Sequence, residues 1–308
     1  MLVAATAVGA VLAVGLATTT VVNVVASESE SHRIASYGER VTVDGGQLNV
    51  LVTGSGPEDI VLLPGFGTSS PVLDFEPLVS DLAKDHRVIV VEPFGYGLSD
   101  GTGRERTTEN IVSEVHSALE ALEVDRYVLM GHSIAGIYGI EYAARYPEEV
   151  TAFVGIDTSV PGQPNMDTQF PTGLLAAAKN LGLLRLVAAA GGGYGESVYS
   201  DHAREQMGIL SNRNSATPTY LNEMNHIRTN FERALGTGFP KDLPLLLFVV
   251  SDNAKNPDWL DLHKRQASSV SDGTVVPLPG DHYLHHAHSP EIAGKFREWE
   301  AGRVSASQ

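Results

Sequence analysis

At 308 residues with 43% hydrophobic side chains, the chain can bury a sizeable core, which favours one α/β domain carrying an insertion over two small domains. A formal net charge of −16 with no Lys/Arg block excludes nucleic acid as a partner, since phosphate binding needs clustered basic surface, and suits a neutral or cationic small molecule. The absence of cysteine excludes a disulfide framework, a thiolate nucleophile and a thiolate metal site.

Leu2 to Ala26 carries no charge and is long enough to span a bilayer. Residues 1–26 therefore read as a transmembrane anchor or a signal peptide, with a buried helix as the third alternative. The basic start of a secretory signal is missing, although Val24-Val25-Ala26 would suit a signal peptidase. Either targeting reading places the rest of the chain outside the cytosol, at the cell membrane or secreted. Residues 27–39 are polar and read as a linker.

Beyond it, Arg40 to Val43 and Gln47 to Thr53 alternate around Asp44-Gly45-Gly46, a hairpin pattern. Asp59 to Leu63 is a continuously apolar strand of the kind found at the centre of a parallel sheet. It ends in Pro64-Gly65-Phe66-Gly67, where glycines permit an open turn that leaves the Phe66 amide free to act as a donor. Asp74 to Lys84 is amphipathic, His86 to Val91 is a buried strand, and Gly95 to Asp100 is a tight loop. Thr107 to Leu122 has apolar residues at Ile111, Val115, Leu119 and Leu122 behind a threonine cap, which predicts a helix.

Tyr127 to Met130 is the next apolar run, stopping at Gly131, and helical spacing begins at Ile134, Ile137 and Ile140. The turn between them holds Ser133, with Gly131 two residues before and Ala135 two residues after. This pattern is one methyl group away from Gly-x-Ser-x-Gly, in which small flanks let the chain turn sharply enough to expose the serine hydroxyl. The Ile134 amide opens the helix without an intrahelical partner and would face charge developing on an attacked carbonyl. Val150 to Ile156 follows as a strand, with Asp157 at its carboxyl end.

The β-α alternation predicts a mostly parallel central sheet with helices on both faces. Ligands bind such sheets at the carboxyl ends of the strands, where Phe66, Ser133 and Asp157 fall. The core is assigned to residues 40–157 and 241–308. Residues 158–240 break the alternation and read as an inserted helical cap, with a Leu/Ala-rich helix from Leu174 to Ala190, a flexible Gly191-Gly192-Gly193, and helices near Ser200 to Leu210 and Pro218 to Leu235. The apolar face of the first (Leu174, Leu181, Leu184, Val187) is expected to pack on the core. Leu243 to Val250, Pro257 to Ser268, Thr274 to Leu278 and Ser289 to Trp299 complete the alternation as strand, helix, strand and helix. Between the last two lies a segment with His282, His285, His286 and His288. No ordered carboxylates accompany it in sequence, so no metal is expected, and His282, on a Gly-Asp turn directly after a strand, is placed as a base.

With Pro-Gly65-Phe66-Gly, Gly95-Tyr-Gly-x-Ser99-Asp, Gly-His-Ser133-Ile-Ala and Gly280-Asp-His282 in that order, the sequence resembles the α/β-hydrolase superfamily of the serine hydrolase type, from about Arg40 to Ala301. The resemblance implies Ser133 as nucleophile, His282 as general base, and the Phe66 and Ile134 amides as oxyanion hole, with no cofactor. Ala135 stands where the family usually has a second glycine, and Pro64 where a histidine often stands. Two candidates remain for the triad acid: Asp157, at a position some relatives use, is preferred, and Asp252, near the usual place but about one residue early, is the alternative. The implied activity is cleavage of an ester or related acyl bond through an acyl-enzyme. Dehalogenases and epoxide hydrolases of this fold carry aspartate at the nucleophile position and are disfavoured. The alternatives are a prolyl-aminopeptidase-like peptidase, which would need cap carboxylates among Glu196, Glu205, Glu223 and Glu232 to hold a substrate amine, and a catalytically inactive binding protein.

Overall fold

The computed structural model describes residues 2–190 and 198–306. Helix α1 (Leu2–Ser31) runs beyond the uncharged stretch into the polar one, so the first residues of the expected linker are helical. Strands β1 (Glu39–Val43) and β2 (Gly46–Gly54) then form the predicted hairpin. Its turn residues Asp44 and Gly45 both have positive φ, 49° and 80°, the backbone that matches strand twist across a two-residue loop.

The alternating core follows as β3 (Asp59–Leu63), α2 (Pro71–Asp74), α3 (Glu76–Leu82), β4 (Arg87–Glu92), α4 (Thr108–Ala121), β5 (Tyr127–His132), α5 (Ala135–Arg145) and β6 (Val150–Ile156). The insertion holds α6 (Thr172–Asn180), α7 (Leu183–Ala190), α8 (Asp201–Asn214) and α9 (Pro218–Ala234). The core resumes with β7 (Leu245–Val250), α10 (Trp259–Ala267), β8 (Gly273–Leu278) and α11 (Leu284–Ala306). The eight strands lie in the order β1-β2-β4-β3-β5-β6-β7-β8, antiparallel at β1-β2 and β2-β4 and parallel elsewhere.

Strands buried on both faces need apolar side chains pointing both ways, and the sheet accordingly separates two cores. One face packs under α4, α5 and α10 through residues such as Ile111, Val115, Ile137 and Trp259. The other packs under α2, α3 and α11 through Val72, Phe75, Leu78, Ile292 and Phe296.

Three elements differ from the sequence expectation. The helix expected over Leu174–Ala190 is two helices bent by 88°, because Gly182 at the corner has φ +74° and continues no helix. Neither α6 nor α7 buries a side chain: Leu174 and Val187 are 69% and 68% exposed, so the expected packing of this apolar face on the core does not occur. The last helix starts earlier than Ser289 and bends at His288, where Pro290 removes a backbone donor. Gly191 to Gly193 lie outside the described residues.

Helix α9, in contrast, is bonded tightly to the core. Asn222 and Asn230 accept from the amides of Arg106 and Thr108 at 2.8 and 3.1 Å, and Thr219 accepts from the Thr102 amide at 2.9 Å. Glu223 accepts from the hydroxyls of Tyr96 (2.9 Å) and Tyr138 (2.8 Å) beside the buried Arg106, whose guanidinium makes two 2.6 Å bonds to Glu114. Removing the cation would leave two buried carboxylates without their counter-charge. Arg106→Ala is expected to lower unfolding free energy by about 3–5 kcal/mol in denaturant titration, whereas Arg104→Ala, at an exposed pair with Asp44, is expected to cost under about 1 kcal/mol.

Candidate active site

The turn from β5 into α5 is as tight as the small residues predicted. Ser133 has φ +55°, a left-handed conformation that a non-glycine residue holds only when its surroundings fix it, at a cost of roughly 1–3 kcal/mol. Its surroundings do so: the Ser133 amide donates to Ile156 at 3.3 Å, and its carbonyl accepts from Ser159 (2.7 Å) and Gly136 (3.0 Å). A Cβ on Gly131 would lie 2.6 Å from the Ala135 methyl. The missing methyl at 131 therefore makes room for the one at 135, and the motif tolerates alanine at its end.

The serine hydroxyl lies 2.8 Å from Nε2 of His282, and Nδ1 of His282 lies 2.7 Å from Oδ2 of Asp157. A hydroxyl so placed can pass its proton to Nε2, and the carboxylate can hold the ring in the tautomer that accepts it. Asp157 is 1% exposed and also accepts from the Val250 amide (3.0 Å) and the Trp259 indole (2.6 Å). Asp252 is exposed on the loop after β7, and among the described residues no bond joins it to His282.

Gly65 explains the placement of the second backbone donor. A Cβ there would sit 3.0 Å from that of Ser133 and 2.7 Å from Nδ1 of His132, so only glycine lets the loop after β3 pass directly beside the serine. Among the described residues neither the Phe66 amide nor the Ile134 amide has a hydrogen-bond partner. The Phe66 ring lies 4.9 Å from that of Tyr220 on α9, which gives the site an aromatic flank, while Tyr283 beside His282 is 43% exposed.

Sequence reasoning missed a layer of histidines behind His282. His132 donates Nε2–H to the His282 carbonyl at 3.0 Å, and burial, then the nearby His285 and His282, push its pKa well down, so its ring is neutral. His285 and His286 each place Nε2 2.8 Å from a different oxygen of Asp74. Burial opposes ionisation of Asp74, but His285 and His286 outweigh it and hold its carboxyl below the usual range. The His-rich segment thus has a carboxylate beside it, 211 residues away from His285 in sequence, which no local pattern could reveal. The three ligand-type atoms lie within 4.8 Å of one another. Their geometry is that of two imidazoles hydrogen-bonded to one carboxylate, with each donor nitrogen already occupied.

Of the cap glutamates considered for amine binding, Glu223 is bound by two tyrosines, Glu205 pairs with Arg33, and Glu232 pairs with Arg228. Glu196 lies outside the described residues.

A family model described as alpha/beta hydrolase fold matches residues 60–234. The chain is 32% identical over 135 residues to an uncharacterized protein of Bacillus subtilis, covering 44% of this chain and 42% of that one. It is 31% identical over 147 residues to a putative non-heme haloperoxidase of Mycobacterium phage D29, covering 46% of this chain and 51% of that one. The chain thus spans about half the length, or less, of these curated relatives. Among solved structures, a putative epoxide hydrolase from Pseudomonas aeruginosa superimposes with a TM-score of 0.69 at 18% identity, covering 88% of this chain and 97% of that one. The enol-lactonase from Burkholderia xenovorans does so at 0.65 and 17%, covering 85% and 100%. At such identities these likenesses concern the fold alone.

The strain at position 133 is measurable. Ser133→Gly removes the steric cost of φ +55° and is expected to raise stability by about 1 kcal/mol in thermal or denaturant unfolding, while abolishing any chemistry that needs the hydroxyl. Gly65→Ala pushes a methyl against Ser133 and His132, and is expected to lower turnover by about a hundredfold, the scale of losing one oxyanion donor, with the fold retained by circular dichroism.

Proposed function

The chain belongs to the α/β-hydrolase family, and from that premise we propose that it is a serine hydrolase cleaving a carboxylic ester or related acyl bond through an acyl-enzyme. The observation that carries this reading is the continuous chain of hydrogen bonds from Ser133 through His282 to Asp157, drawn from three separate stretches of sequence. Ser133 Oγ adds to the substrate carbonyl as its proton passes to Nε2 of His282. The resulting oxyanion lies between the Phe66 and Ile134 amides. As the tetrahedral intermediate collapses, the carbonyl re-forms and the alkoxide leaves with the proton from His282. Water then gives up a proton to His282 and adds to the acyl carbon, and collapse returns that proton to Ser133 as the acid departs. Asp157 stays ionised throughout, holding the ring and offsetting its transient positive charge.

A serine at the elbow sets this chain apart from an epoxide hydrolase, which would need aspartate there. The peptidase reading has no support in the described cap, because Glu205, Glu223 and Glu232 each have another partner. Helix α1 is read as an uncleaved membrane anchor with the catalytic domain outside the cytosol: its Ala10–Ser31 portion is apolar enough to cross a bilayer and none of it is buried.

A fluorophosphonate probe is expected to label the protein, with labelling lost in Ser133→Ala. Hydrolysis of p-nitrophenyl esters is expected to fall by about 10³–10⁴-fold in Asp157→Asn and by less than twofold in Asp252→Asn. A large loss in Asp252→Asn with a small one in Asp157→Asn would reassign the acid, and an unlabelled, folded protein would remove the enzyme reading.

A further inference from the structure

Helices α6 and α7 present an apolar surface that no described residue buries. The sequence of α7 is Leu-Leu-Arg-Leu-Val-Ala-Ala-Ala, and neither helix buries a side chain. Leu174, Leu186 and Val187 are each more than half exposed. Isolated exposed leucines need no explanation, but a bent pair of helices with several large apolar side chains exposed together does.

What covers them is indicated by their neighbour. Helix α1 is 30 residues long, about 45 Å at 1.5 Å per residue, against about 30 Å of bilayer hydrocarbon. Its carboxyl-terminal turns must therefore emerge at the membrane surface, and those turns are the ones bonded to the cap. Arg185 on α7 makes 2.5 and 2.9 Å bonds to Glu30, a 3.1 Å bond to Ser27 and a 3.2 Å bond to Asn23. Gly182 lies so close to α1 that a Cβ would fall 2.6 Å from the Thr19 carbonyl. Just beyond α1, Gln206 on α8 bonds the backbone of Arg33 and Ala35, both at 2.9 Å. The anchor is thus clamped to the cap, which fixes the height of α6 and α7 relative to any bilayer that α1 enters. In α1 itself the hydroxyls of Thr18, Thr19 and Thr20 bond back to carbonyls of the preceding turn, the arrangement that hydrocarbon requires of a polar group.

We propose that the α6–α7 corner lies in the outer surface of the same bilayer that α1 spans, so that the cap is seated on lipid and the site takes a lipid-soluble, long-chain ester from the membrane. The substrate part rests on the serine hydrolase reading; the docking part does not. Lipid is favoured over a protein partner because the surface adjoins a helix whose Ala10–Ser31 portion is apolar enough to cross a bilayer and unburied, and because the cation between them, Arg185, is held at the polar end of α1 by Glu30. Thr172 on α6 bonds Asn225 on α9 at 3.0 Å, and α9 carries Tyr220, whose ring meets Phe66 beside Ser133.

The chain has no cysteine, so single cysteines report on single sites. Full-length Leu174→Cys, Val187→Cys, Leu16→Cys and Ser271→Cys, each carrying an environment-sensitive dye, would be reconstituted into phosphatidylcholine vesicles containing bromolipid. Ser271, exposed at the amino ends of the strands, is the control away from the cap. Quenching at 174 and 187 should be at least fivefold that at 271 and approach that at 16. Quenching at 174 and 187 no greater than at 271 overturns the docking, as does disulfide cross-linking of the undyed Val187→Cys protein in the same vesicles under oxidation by copper phenanthroline, since a second copy then covers the surface. In the second arm, Leu174→Asp with Val187→Asp should lower hydrolysis of a long-chain ester carried in vesicles at least tenfold, with a short water-soluble ester unchanged. Equal rates on the vesicle ester overturn the membrane route. Failure of the unmodified chain to cleave either ester would instead sink the hydrolase reading, and the quenching arm would still decide the docking.

Discussion

One buried carboxylate joins the separate parts of the site. Asp157 receives a backbone amide from the end of β7, an indole N–H from α10 and the imidazole of His282 from the loop after β8, so three successive pieces of the core converge on it. Burying an ionised carboxylate is costly unless hydrogen bonds replace its water, and here three do. The aspartate itself sits at φ +43°, a second left-handed residue just across from Ser133. Two strained positions at the ends of adjacent strands are held in place because β5 and β6 are paired in register from Val128↔Ala152 to His132↔Ile156, right up to them.

Of the two candidate acids, Asp157 is the one whose carboxylate bonds the His282 ring among the described residues. That ring has one nitrogen for Ser133 and one left over, and the left-over one is occupied by Asp157. Behind the ring, His132 and His285 are held neutral by burial. A charged imidazole at either position would oppose positive charge on His282 at the moment it takes up a proton. The neutral layer supplies shape and a 3.0 Å bond to the His282 carbonyl without that electrostatic penalty.

The core was legible in sequence because its determinants are local. Continuous apolar runs mark buried parallel strands, Thr107 caps α4 through the Asn110 amide, and Asp44-Gly45 turns the hairpin. Ser133 and His282 were legible for the same reason, each sitting on a turn whose small neighbours announce it. What could not be read were pairings between distant side chains: Asp74 with two histidines, Trp259 with Asp157, Glu223 with two tyrosines. The cap failed differently. Helical periodicity in Leu174–Ala190 is real, but periodicity says that one face is apolar and not what that face meets, and the single residue Gly182 divides the segment into two helices at an angle.

That ambiguity matters because the cap has two halves with opposite physics. Helix α9 is joined to the core by buried polar bonds, which are directional and tolerate little movement. It fixes Tyr220 against Phe66 and so defines one wall of the site. Among the described residues, helices α6 and α7 make no such bonds to the core sheet; their polar contacts run to α1, α8 and α9. An apolar, unburied surface bonded at its edge to a hydrophobic helix costs free energy in water and is what the proposed seating on lipid would cover. The same inserted segment that closes one side of the site through α9 therefore leaves α6 and α7 exposed on another side.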